Sequence, residues 1–248
     1  MRGRLQVFES AAALQHAAAE KIIAILNEEI AARGVASLAL SGGATPRGVY
    51  ELLGSEPFRG RIDWKKLHIF WGDERCVGPT MPESNFRMAK EALLRNIAIL
   101  PQDVHRIRGE IRPQDAARES ELDIRRFFGL KEGEFPRFTL VLLGLGEDGH
   151  TASLFPDTAV LGEKQRIVSD VYVDKLSASR VTLTAPAINH AAAVLFLVAG
   201  RSKAGILRNV LEEGEDRFPV QLIQPLSGQL FWFVDRDAAS QLSKAEIP

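Results

Sequence analysis

The sequence predicts an α/β fold on a mostly parallel sheet covered on both faces. Three observations predict it. Short apolar runs alternate with helical segments along most of the chain, the pattern of right-handed βαβ units. The runs Val35–Leu40, Phe138–Leu143 and Ala193–Val198 are almost continuously apolar, as strands buried on both faces are. Several runs end in polar turns, and such sheets bind ligands beyond the carboxyl ends of their strands.

The elements follow in order. Leu5–Phe8 reads as a short strand. Ser10 caps a helix whose apolar face is Leu14, Ala18, Ile22, Ile25, Leu26 and Ile30, and Gly34 stops it. Val35–Leu40 is a strand ending in Ser41-Gly42-Gly43, with a helix starting near Pro46. Leu67–Trp71 is a strand ending in Gly72-Asp73-Glu74-Arg75. Gly78, Pro79 and Pro82 make Cys76–Pro82 a loop. Helices follow near Ser84–Leu94 and over roughly Pro113–Phe128. Phe138–Leu143 is a strand ending in Gly144-Leu145-Gly146, and Val181–Thr184 alternates, with Arg180 at its start. Ala193–Val198 is a buried strand, Lys203–Leu211 a helix and Leu230–Val234 a last strand. No repeat, low-complexity tract or linker divides the chain, so residues 1–248 read as one domain.

With 248 residues, 46% hydrophobic and 25% charged, the composition is that of a globular protein, not a disordered, coiled-coil or collagen-like chain. A net charge of -1 argues against a nucleic-acid protein. No apolar run approaches the roughly 18–20 residues that span a bilayer, and Met1–Phe8 lacks the apolar region of a secretory signal. The single cysteine, Cys76, can form neither an internal disulfide nor a metal cluster, so a cytoplasmic setting is expected.

Four places after strands carry candidate chemistry. Ser41-Gly42-Gly43-Ala44-Thr45-Pro46 lets the backbone approach a ligand at a helix N-terminus, the outline of a phosphate cradle. It also fits a plain glycine turn with Pro46 in the first helical position. Gly144-Leu145-Gly146-Glu147-Asp148-Gly149 matches the dinucleotide fingerprint, with Asp170 at the expected distance. Pro156, Asp157 and Gly162 leave no crossover helix after it, so that reading fails. Asp148-Gly149-His150 sets a carboxylate two residues from an imidazole, where it can fix the tautomer and raise the basicity. A loop histidine with a nearby acid is the plainer alternative. Arg75 can bind an anion or a developing oxyanion. Arg180 and Lys203 can reach the same cleft to bind phosphate, although either alone reads as a solvated charge. No His-Glu-x-x-His, paired cysteines, Gly-x-Ser-x-Gly elbow or histidine ligand spacing is present.

Together these segments resemble the 6-phosphogluconolactonase family. The matching stretches are Ser41–Pro46, Phe70–Arg75, Pro82–Met88, Gly144–Pro156, Arg180–Asn189 and Gly200–Lys203, in order. The resemblance implies a three-layer α/β/α fold shared with glucosamine-6-phosphate deaminases. It also implies hydrolysis of 6-phosphogluconolactone to 6-phosphogluconate, the second step of the oxidative pentose phosphate pathway. It places the general base on His150 with Asp148 beside it, and Arg75 near the reacting carboxyl group. Phosphate contacts fall on Gly42, Gly43, Thr45, Arg180 and Lys203. Neither metal nor other cofactor is expected. The expected partner is a phosphorylated sugar lactone made by glucose-6-phosphate dehydrogenase. The loop Val77–Met81 and Ala44, often serine in the family, depart from the pattern without touching a proposed catalytic group. A deaminase carries a glutamate where Phe155 stands here, which favours the lactonase. A sugar-phosphate sensor of a transcription regulator would carry a DNA-binding segment, for which the chain before Val35 is too short.

Overall fold

The computed structural model describes residues 3–212 and 217–243. Six strands form a parallel sheet in the order β1-β9-β8-β5-β2-β3. They are β1 (Arg4–Phe8), β2 (Ala36–Leu40), β3 (Leu67–Trp71), β5 (Leu140–Leu143), β8 (Ala193–Val198) and β9 (Gln229–Asp235). Every residue of β2, β5 and β8 is buried, which explains their almost continuously apolar character, broken only by Ser37 in β2. The helices packed on the sheet include α1 (Ala11–Arg33), α2 (Ala44–Leu53), α6 (Ala204–Glu212) and α7 (Arg236–Ala239).

The caps predicted for α1 set its two ends. The Ser10 hydroxyl accepts from Ala13 N at 3.2 Å, and Gly34 closes the helix in the left-handed region at φ 80°. Leu14, Ala18, Ile22 and Leu26 are buried, while Ile25 and Ile30 pack at the edge of the core. Helix α2 starts earlier than expected: Gly43 is its N-cap, so Thr45 and Pro46 lie inside the first turn and Pro46 is third rather than first. Val35 and Phe138 fall outside their strands.

A second, three-stranded antiparallel sheet, β4-β7-β6, was not foreseen. Its strands are β4 (Asp73–Arg75), β6 (Val168–Val173) and β7 (Ala178–Leu183). The stretch Asp73–Arg75 is therefore a strand rather than a turn, and Arg180 sits in the middle of β7 rather than at its start. Gly72 joins the two sheets, donating to Leu40 O and accepting from Leu183 N, both at 2.8 Å. Helix α3 (Asn85–Ala92) follows β4, α4 (Pro113–Phe128) packs on β6 and β7, and a short α5 (Ala185–Asn189) follows β7.

The chain runs from β2 to β3 on one side, then returns to place β5 on the other side of β2. The sheet order therefore reverses between β2 and β5. The crevice beyond their carboxyl ends is where ligands bind in open α/β sheets. The turns after β2 and β5 open into it.

Candidate active site

The turn after β5 is built to present one imidazole. Gly146 N donates to His150 O at 2.8 Å, Gly149 N to Gly146 O at 3.0 Å, and the Thr151 hydroxyl to Gly144 O at 2.8 Å. This closure lays the His150 ring directly over Gly146, where any Cβ would collide with it. Asp148 Oδ1 meets His150 Nδ1 at 2.5 Å and also accepts from His150 N at 3.2 Å. A carboxylate only accepts, so the ring proton lies on Nδ1 and Nε2 is left with its lone pair. The other Asp148 oxygen pairs with Lys175, on the turn between β6 and β7. The Phe155 ring stacks on the imidazole with centroids 4.0 Å apart. Burial pushes the His150 pKa down to about 4; Lys203, Arg180 and Arg75 push the same way and Asp73 opposes them. The ring is therefore neutral near pH 7 and available as a base.

Two adjoining lobes form the cleft, about 230 and 220 Å³, and Asp73, Arg75, His150 and Ala152 line both. Lys175 and Arg180 line the first. Ser41, Gly42, Gly43, Asn85 and Lys203 line the second. The expected phosphate groups are thus divided between lobes that meet at Arg75 and His150. Thr45 lines neither; its carbonyl accepts from Gln15 Nε2 at 3.4 Å.

Arg75 and Arg180 stand opposite each other on β4 and β7. Two guanidinium groups opposed across strands repel, a cost tolerated where an anion belongs between them. Burial and the Arg75 charge both lower the Arg180 pKa. Arg75 donates one short bond to Glu83 O, and its buried Nε has no protein partner among the described residues. Helix α2 has no side-chain cap, and its N-cap residue Gly43 lines the second lobe. Asn85 approaches Gly42 so closely that a Cβ there would collide with it, which accounts for the glycine. The Tyr50 hydroxyl holds both the N–H and the carbonyl of Ser41 at 2.9 Å. The Ser41 hydroxyl is buried at the cleft wall without a protein partner among the described residues.

The sequence marks Ser41, Asp73 and Asn85 only as members of their motifs, with no role of their own, and does not mark Lys175. Asp73 was visible as the neighbour of Arg75. Lys175 carries no sequence signal, because only the β6–β7 pairing brings it to Asp148. Cys76 is half-buried and burial pushes its thiol up to about 11, which favours the neutral thiol over the thiolate near pH 7. Among the described residues no cluster of three or more His, Cys, Asp or Glu groups fits a metal ion, and no helix is long and apolar enough to cross a membrane.

Comparison with known proteins supplies the family. The family model described as glucosamine-6-phosphate isomerases/6-phosphogluconolactonase matches residues 9–232. A 6-phosphogluconolactonase of Synechocystis sp. is 41% identical over 220 residues, covering 88% of this chain and 89% of its own. The structure of 6-phosphogluconolactonase from Trypanosoma cruzi superposes with a TM-score of 0.88 at 30% identity, covering 98% of each chain. A monomeric glucosamine-6-phosphate deaminase shares the fold alone, with a TM-score of 0.81 at 21% identity. The sheet, the crevice turns and these matches agree, and the chain belongs to the glucosamine-6-phosphate isomerase/6-phosphogluconolactonase family.

Proposed function

We propose that this chain hydrolyses 6-phosphogluconolactone to 6-phosphogluconate, the second step of the oxidative pentose phosphate pathway. The observation that carries the reading is His150, kept neutral, with Asp148 on Nδ1 and Nε2 free in a cation-lined crevice. A water molecule attacks the lactone carbonyl while Nε2 takes its proton. Arg75, common to both lobes, stabilises the oxyanion. The intermediate collapses with cleavage of the bond to the ring oxygen. His150 returns its proton there, leaving a hydroxyl and a carboxylic acid, which loses its own proton to solvent to give the carboxylate. A δ-lactone is a reactive ester, so the roughly 10²–10⁴-fold that one positioned base supplies is a useful acceleration.

Lys203 holds the phosphate in the lobe it shares with the Gly42–Gly43 backbone at the N-terminus of α2, and Arg180 reaches it from the adjoining lobe. Phe155, stacked on His150, has no proton to exchange, which favours lactone opening over the proton transfers of a deaminase. In this reading glucose-6-phosphate dehydrogenase supplies the substrate, the setting is the cytoplasm, and residues 1–248 act as one lactonase domain. The test is to generate the lactone with that dehydrogenase and follow its decay with and without this protein. Decay at the spontaneous rate overturns the reading.

A further inference from the structure

Asp73 enters the cleft beside His150 and has no role in the scheme above. It is 7% exposed and lines both lobes. Its Oδ2 accepts from the Ser153 hydroxyl at 2.6 Å and its Oδ1 from Asn85 Nδ2 at 3.2 Å. Both donors are neutral, and no cation forms an ion pair with Asp73 among the described residues. Asp148 differs, because Lys175 occupies its second oxygen.

The charges facing His150 come from every element around the cleft. Arg75 stands on β4, Arg180 on β7, Lys175 on the β6–β7 turn and Lys203 beyond β8. Glu147 reaches Lys203 at 3.7 Å. Protonation of His150 adds one more cation to this ring. We propose that Asp73 is a positioning residue whose carboxylate, held by neutral donors, stabilises the imidazolium of His150 while the lactone opens. The proton itself moves only from water to Nε2 and on to the ring oxygen; Asp73 never carries it. In agreement, Asp73 is the charge that opposes the depression of the His150 pKa.

The inference rests on the lactonase reading, with His150 as base. Asp73→Asn preserves size: its amide oxygen accepts from Asn85 and its amide nitrogen donates to the Ser153 oxygen. A nearby opposite charge moves a pKa by about 1–3 units. With proton transfer about half complete in the transition state, kcat should fall about 3–30-fold. KM should stay within about threefold. The acid limb of kcat/KM should move about one unit or more further down. Enzyme held at pH 7 is jumped to each pH, and residual lactone is counted by quenching with hydroxylamine.

A raised KM at unchanged kcat makes Asp73 a substrate contact and overturns the inference, as does an unmoved acid limb. If Asp73→Asn does not fold, Asp73→Ser is measured in the same way. Failure of both to fold makes the residue structural and also overturns it. His150→Asn is run in parallel. Activity within tenfold of the parent there sinks the lactonase base itself, whatever Asp73 does.

Discussion

At the scale of single residues, the site is a problem in charge. His150→Ala should lower kcat by about 10²–10⁴ with little change in KM, and Asp148→Asn should cost less because it removes only the orienting partner. Steady-state kinetics on the phosphorylated lactone decide both. The low pKa of His150 also links to stability. An unfolded histidine titrates near 6.5, so below that pH the unfolded chain binds a proton that the native ring refuses. Stability from this group is complete above about pH 6.5 and declines as pH falls towards about 4. After discounting for the partly exposed ring, the loss is about 2–3 kcal/mol. Urea unfolding of His150→Gln between pH 7 and 4.5 should show a correspondingly flatter decline. The two cations proposed to hold the phosphate, Arg180 and Lys203, make a separate case, because they line different lobes. Contacts to a non-reacting phosphate act in ground and transition states alike, so they move KM. At roughly 1.5–3 kcal/mol per charged hydrogen bond, Arg180→Ala should raise KM about 10–150-fold. Lys203→Ala should do somewhat less. Both should leave unphosphorylated gluconolactone nearly unaffected. Equal weakening of both lactones by Arg180→Ala would move that residue to the carbonyl end of the substrate.

At the scale of elements, β4 and the start of α3 hold the cleft in shape through one buried carboxylate. Glu74, 2% exposed, accepts from Asn85 N at 2.7 Å, Phe86 N at 2.8 Å, the Ser84 hydroxyl at 3.1 Å and Arg75 N at 2.8 Å. Burial raises its pKa, while the three backbone N–H groups favour the carboxylate. The first turn of α3 is thereby tied to β4, with Arg75 on one side and Asn85 against Gly42 on the other. Glu74→Gln sets an amide N–H₂ against donors and should cost about 2–3 kcal/mol, or roughly 4–12 °C in Tm. A thermal melt unchanged by the substitution would remove Glu74 from this role. Elements differ in how far their local sequence specifies them. Helix α1 was legible because Ser10 and Gly34 are local cap signals. Strands β4 and β6 were not: three residues such as Asp73-Glu74-Arg75 form a strand only because β7 lies alongside.

At the scale of the whole molecule, one fold serves two chemistries, and the crevice must choose between them. The deaminase fold is shared, but the group stacked on His150 here is apolar. Ammonia release from millimolar glucosamine 6-phosphate should therefore be absent. Turnover comparable with lactone hydrolysis would reverse the assignment. The sheet order, reversing between β2 and β5, explains why the chemistry gathers where it does.

Local and periodic signals were enough to determine the alternating elements, the buried strands β2, β5 and β8, and the turns that open the crevice. Asp148 and His150 were legible as a pair because two residues of chain already hold them together. The quoted motifs carried the family, because their order along the chain is a property of sequence. Only the tertiary structure decided which lobe each cation lines, that Arg75 faces Arg180, and that Lys175 shares Asp148. It alone placed Asp73 beside His150. The physical reason is that these neighbours are set by strand pairing and by the docking of the small sheet at Gly72. Such contacts join residues far apart in the chain, and their charges are felt only once water has been excluded from between them.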